Sequence, residues 1–150
     1  DAAQAWLQSL AETLDLIVAD KLEAPLGPIL EAAQGHRAEL ARAELALAAI
    51  AANLETVRAM LVVDGGFADA LAAAGADAAA VAMMLDGVAS TAIDRARAVP
   101  LPLADAVADP AARGEVEALL AAVKRLRLFA AGTMASELGL VRGFNASDGD

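Results

Sequence analysis

The chain has no cysteine and no tyrosine, one histidine, His36, and only one tryptophan and three phenylalanines among its 150 residues. Without cysteine there is no disulfide framework and no thiolate metal site, and the redox compartment stays open. With one histidine and few hydroxyls near other candidate groups, no Ser-His-Asp arrangement can be assembled. Asp64-Gly65-Gly66 has no preceding strand and no following Lys-Ser/Thr, so it is no phosphate loop. Basic residues are scarce as well: 11 Lys and Arg stand against 21 Asp and Glu, a formal net charge of −10. That balance argues against nucleic acid or anionic lipid as a partner held by counterion release, and makes cations the more natural small partners. Its plainest meaning is an acidic, well-solvated helix surface.

The chain also lacks any uninterrupted apolar run of the roughly 20 residues that a spanning helix needs, so no membrane-spanning segment is expected. The mean hydropathy of +0.53 comes largely from alanine, roughly three residues in ten and the best helix former. Asp1-Ala2-Ala3-Gln4-Ala5-Trp6 offers no basic region followed by a compact apolar stretch, and a chain that begins inside a longer protein or after processing is expected. One hundred and fifty residues make one domain, long enough for a core of its own.

What the sequence does contain is helical periodicity, with no sustained period-two alternation. A first helix is predicted over Ala2 to Leu22, burying Leu7, Leu10, Leu14, Ile17 and Val18, and broken by Ala24-Pro25-Leu26-Gly27-Pro28. A second should run from Arg37 to Val63, with Leu40, Leu47, Ile50, Leu54, Val57 and Leu61 on one stripe, and end at Asp64-Gly65-Gly66. A short helix from Phe67 to Ala74 precedes a third long one from Ala78 to Ala98, capped by Asp77 and burying Val81, Met84, Leu85, Val88 and Ala92. Asp109-Pro110 should start a fourth that continues to Leu138 through Val116, Leu119, Leu120, Val123, Leu126 and Ala130, with Gly139 as its C-cap. Four long amphipathic helices joined by short breaks predict an all-α, antiparallel four-helix bundle with short extra helices near Phe67 and Leu103.

Few residues in this frame carry chemistry. His36 and Glu39, three apart on the expected second helix, would share a face and could hold a metal together, although zinc wants three or four protein ligands. The bland reading is a solvated helix start with a glutamate favoured by the dipole. Glu39 and Arg42 are a second i,i+3 pair, on composition a surface ion pair. Near the end, Asn145, Asp148 and Asp150 place three oxygen-bearing side chains within six residues. That density suits a hard cation or a set of backbone hydrogen bonds, but it does not match the calcium-loop pattern, and by composition it is an acidic tail.

The closing run Gly143-Phe144-Asn145-Ala146-Ser147-Asp148-Gly149-Asp150 resembles the Gly-Phe-Asn-x-x-Asp-Gly-Asp ending of imelysin-like proteins, and Glu137-Leu138-Gly139-Leu140-Val141-Arg142 leads into it as in that family. Lys21-Leu22-Glu23-Ala24-Pro25-Leu26-Gly27 resembles the family's Lys-Leu-x-x-Pro-Leu-Gly turn. Glu39, Arg42, Leu47, Ile50, Asn53 and Leu54 follow its Glu-x-x-Arg-Ser-x-x-Ser-Leu-x-x-Ile-x-x-Asn-Leu pattern, with Ala43 and Ala46 in place of the two serines. The family's Gly-x-His-x-x-Glu motif belongs to its N-terminal half. His36-Arg37-Ala38-Glu39 reproduces only its last four positions, with Gln34 where glycine is expected, and sits elsewhere in the pattern.

The resemblance implies one subdomain of a two-bundle imelysin fold, residues 1–150 being the C-terminal half of a bacterial protein that is periplasmic or anchored at the outer membrane. It implies a non-enzymatic half associated with iron uptake or metal binding, with iron or zinc as the ion in the intact protein and the N-terminal half as partner. It also places Glu39, Arg42, Asn145, Asp148 and Asp150 along a site facing that half, the tail folding back toward Glu39 and Arg42. Two alternatives stay open. The chain could be part of a metallopeptidase whose ligands lie mainly in the N-terminal half, or a structural, partner-binding bundle.

Overall fold

A computed structural model describes residues 2–73, 75 and 77–134, and all regular structure among them is helical. The long helices are α1 (Ala2–Leu16), α3 (Ala46–Val62), α5 (Ala78–Ala98) and α7 (Arg113–Leu128), with short helices α2 (Ala24–Leu26), α4 (Phe67–Ala73) and α6 (Leu103–Ala106) at the connections. α3 packs extensively on α5, and α5 on α7, while α7 packs on α1 and closes the bundle. The core is aliphatic: Leu10, Leu14, Ile17, Leu22, Ile50, Leu54, Leu61, Leu85, Leu119 and Leu126 are fully buried. The all-α bundle read from periodicity is the fold observed.

The expected α5 is found with its predicted bounds, and the Asp77 carboxylate accepts a hydrogen bond from the Ala80 amide at 2.8 Å, the N-cap that starts it. Leu85 and Ala92 are buried as expected, but Met84 is 44 % exposed and Val81 and Val88 only partly covered. Among the described residues, α5 packs mainly on α3, α4 and α7, which leaves these positions partly open. The fourth helix does not start at Asp109-Pro110 as expected: Asp109 Oδ1 accepts from the Ala111 and Ala112 amides in a turn, and the regular helix starts at Arg113. The helix continues as a π turn, Phe129–Met134, and the expected stretch to Leu138 with its Gly139 cap lies outside the described residues.

Two further boundaries are corrected. The first helix does not stop at Leu22. It widens into a π turn, Ile17–Glu23, and returns to α geometry in α2, where Pro25 sits in the first turn and needs no amide donor. The stop is Gly27, at φ +64, where a Cβ would lie 2.3 Å from the Ala32 carbonyl oxygen, so only glycine fits. The second correction is larger. The helix expected from Arg37 begins only at Ala46, and residues 27–45 form a strap of three isolated 3-10 turns. Leu40 (φ 53) and Glu44 (φ 56) are left-handed, which interrupts any helix through them. Leu40 is therefore not on the buried stripe but 52 % exposed, and Leu47 is partly buried.

One stretch, Ala46–Ala73, is long and apolar enough to cross a membrane by length and composition, with a hydropathy of 1.6. It is not one helix. α3 ends at Val62, and seventeen residues span about 26 Å, short of the roughly 30 Å hydrocarbon layer. Ile50, Leu54, Val57 and Leu61 spend its apolar character on the bundle core.

Candidate functional site

The strap covers one end of the bundle. Its hold on the rest comes from a few contacts: the Gln34 amide donates to the Pro25 carbonyl at 2.8 Å, Ala38 is buried, and Gly35 lies so close to α6 that a Cβ would be 2.0 Å from the Ala104 carbonyl oxygen. The remaining hydrogen bonds of residues 35–44 are local, each closing a single turn.

The strongest polar contact at this end is an ion pair between Lys21 Nζ and Glu39 Oε2 at 2.6 Å. Lys21 is on the π turn, among Ile17, Val18 and Leu22, and is nine-tenths buried. A buried ammonium needs a charged or strongly accepting partner, and Glu39 supplies it from the strap while keeping nearly half its side chain in water. Arg113, at the start of α7, is also buried and uses its guanidinium as a clamp. Nη1 donates to the Leu26 carbonyl at 2.7 Å and the Val107 carbonyl at 3.1 Å, Nη2 to the Gly27 carbonyl at 3.0 Å, and Nε to Glu117 at 2.9 Å. The planar fork thus satisfies the last carbonyls of the first helical stretch, which has no further turn to do so.

The residues singled out from the sequence separate accordingly. Glu39 is bound to Lys21, and no Glu39–Arg42 ion pair is found. Arg42 lies on the 3-10 turn Ala41–Ala43, exposed, between the two left-handed residues. His36 is on another, Gly35–Arg37, also exposed. His36 and Glu39 were paired on the premise of a helix, and that premise fails here, so the spacing no longer puts both on one helical face. Asn145, Asp148 and Asp150 lie outside the described residues.

Among the described residues, no group of three or more His, Cys, Asp or Glu side chains is close enough to hold a metal ion. Glu39, the one carboxylate shared by both candidate sets, already neutralises Lys21. The described residues therefore do not fit a metal centre on their own.

Sequence reasoning missed Lys21 and Arg113 as site-building residues. Lys21 appeared only as a letter in a turn motif, although a lysine among Ile17, Val18 and Leu22 on an otherwise apolar face is the signal of a buried, partnered cation. Arg113 had a comparable signal, three residues before Val116 on the buried stripe of the fourth helix. Elsewhere, Arg58 donates to Asp86 at 2.6 Å, and that hydrogen bond and charge raise the guanidinium pKa above its ordinary value.

A family model described as imelysin, a peptidase family by its name, matches residues 1–128. The matched stretch contains the Lys21–Gly27 turn, the strap and all four long helices, and ends before the closing acidic run. No curated protein and no solved structure matches the chain.

Proposed function

Because the chain belongs to the imelysin family, we propose that it is the non-enzymatic half of a bacterial imelysin-like protein, periplasmic or anchored at the outer membrane and associated with iron uptake or metal binding. The observation that carries this reading is the family match over 128 residues. The ion pair from Lys21 to Glu39 supports where the site would be, since it joins two of the segments on which the resemblance rests. In this reading Glu39 and Arg42 line the strap end, which faces the N-terminal half. Asn145, Asp148 and Asp150 complete the lining, and most ligands to any ion come from outside the described residues.

The test is isothermal titration of the intact two-half protein with ferrous, ferric and zinc ions. Saturable binding of at least one ion, weakened by Asp148→Ala and Asp150→Ala, is the expected result. No binding at millimolar concentration would overturn it, and stability loss from those two substitutions without loss of binding would leave a structural bundle instead. The family name favours one further reading, a metallopeptidase whose ligands sit in the other half. Chelator-sensitive cleavage of a protein substrate by the intact protein would replace the non-enzymatic reading with that one.

A further inference from the structure

Residues 39–45 run Glu-Leu-Ala-Arg-Ala-Glu-Leu, with no glycine, no proline and no β-branched residue, and by composition they make a good helix. α3 begins directly after them, at Ala46, and nothing marks that boundary: Leu45 makes no side-chain cap bond, and neither proline nor glycine stands between it and Gly35. What stops the helix is the backbone of two residues. Leu40 and Glu44 are left-handed, a conformation that crowds any residue with a Cβ, and neither has the short amide or carboxylate that offsets it by a local hydrogen bond. The hydrogen bonds of residues 40–45 reach no further than Ala38 on one side and α3 on the other. The strained path is held from upstream, by the Lys21–Glu39 ion pair at 2.6 Å and by the buried Ala38.

We propose that residues 39–45 are a two-state segment, either the strap described above or a continuation of α3 back through Glu39, with the Lys21–Glu39 pair as the latch between the states. Little of the backbone has to change. Ala41–Ala43 already form a right-handed 3-10 turn, and Leu45, at φ −99 and ψ 2, is near helical geometry, so the rearrangement falls on Leu40 and Glu44. Lengthening an existing helix carries no nucleation cost. Seven more residues add about 10 Å to α3 and carry Glu39 away from Lys21 along the α3 axis. In the extension Glu39 lies in the first turn, where the helix dipole favours a carboxylate, and Arg42, three residues on, shares its face. Leu40 falls into line with Leu47 and Leu54, the stripe read from the sequence. Against these gains stands one loss, the acceptor of a buried ammonium, and that loss keeps the strap closed. One carboxylate cannot serve both places. When it leaves, the strap uncovers Lys21 at the end of the bundle. The inference uses backbone geometry and a single ion pair, and does not rest on reading the strap end as a metal site.

NMR on the full chain tests it, residue by residue. In the wild type, Leu40 and Glu44 should show the strong intraresidue Hα–HN NOEs of positive φ. Lys21→Met keeps an apolar side chain on the π turn and removes the latch. Residues 39–45 should then gain the small HN–Hα couplings of a helix and its NOEs from each Hα to the amide three residues on, continuous with those of α3, as the helical population rises severalfold. Glu39→Gln should shift the same signals in the same direction by less, and it carries the test if Lys21→Met fails to fold. Adding Leu40→Gly to either variant should return the strap pattern, because glycine accepts the left-handed backbone and weakens the helix. A strap pattern that persists in both variants, a segment that loses that pattern without gaining helical NOEs, or a helix already present in the wild type would overturn the proposal.

Discussion

Residues 37–45 and α3 (Ala46–Val62) are adjacent stretches of similar character, both rich in alanine and leucine with glutamate and arginine between, yet one is a strap of single turns and the other a straight helix. Their intrinsic helix preference hardly differs. Their neighbours do. α3 lays Ile50, Leu54, Val57 and Leu61 against the core, and its outer side is tied to α5 by Arg58–Asp86 and by Glu55–Arg97. In the strap only Ala38 is buried, while Leu40 and Leu45 are half exposed. A helix of nine residues is marginal in water by itself, so a stretch without an apolar face to bury takes whatever path its anchors dictate. Helicity in this protein is decided by packing rather than by composition.

The comparison can be broken most severely from the α3 side. Leu54→Ala empties a fully buried position and should cost about 3 kcal/mol in urea denaturation, in one cooperative transition, because the cavity is in the shared core. Arg113→Met, which removes the clamp on the Leu26, Gly27 and Val107 carbonyls, should cost about 2 kcal/mol, and hydrogen exchange should quicken in residues 23–45 before α3 or α5. If exchange rose uniformly, the strap would not be a separate unit. Glu39→Gln leaves Lys21 buried with a neutral partner. With Glu39 itself half in water, a loss of about 1 kcal/mol is expected, again read as faster exchange confined to the strap.

The smallest effect is the most discriminating, because it changes sign. Leu40→Gly relieves a left-handed leucine and should stabilise by about 0.5 kcal/mol, whereas Ala52→Gly on the exposed side of α3 should destabilise by about 1 kcal/mol. Equal signs in thermal melts would mean that the two stretches share one backbone state in solution.

Much of the fold is legible in the sequence because long, capped, strongly periodic segments leave little choice. Asp77 and Pro100 bracket α5, and Asp109-Pro110 announces the turn into α7. The strap is illegible for a definite reason. Arg-Ala-Glu-Leu-Ala-Arg-Ala-Glu-Leu carries no glycine, no proline and good helix propensity, and its left-handed residues are a leucine and a glutamate, neither of which favours that conformation. Of the candidate site, Glu39 could be picked out, but its partner could not. The pairing with Lys21 depends on a π turn, and a π turn has no sequence signature that separates it from an ordinary apolar helical run. The closing run that resembles the imelysin ending is not included in the matched residues 1–128, so membership of the family rests on the bundle itself.

The two π turns, Ile17–Glu23 and Phe129–Met134, are on the helices that face each other, and each packs against the other's helix. A wide turn absorbs extra chain without ending the helix, and so acts as a phase shifter: everything beyond it points in a different direction from what the preceding turns would dictate. Restoring α geometry to Ile17–Glu23 with all seven residues kept would rotate the following side chains by about 100°, one residue's worth of helix. Lys21 would swing off its buried bearing, and Pro25 and Gly27 would swing with it. The orientation of the whole strap is thus set not in the strap but one helix earlier, by how many residues that turn contains.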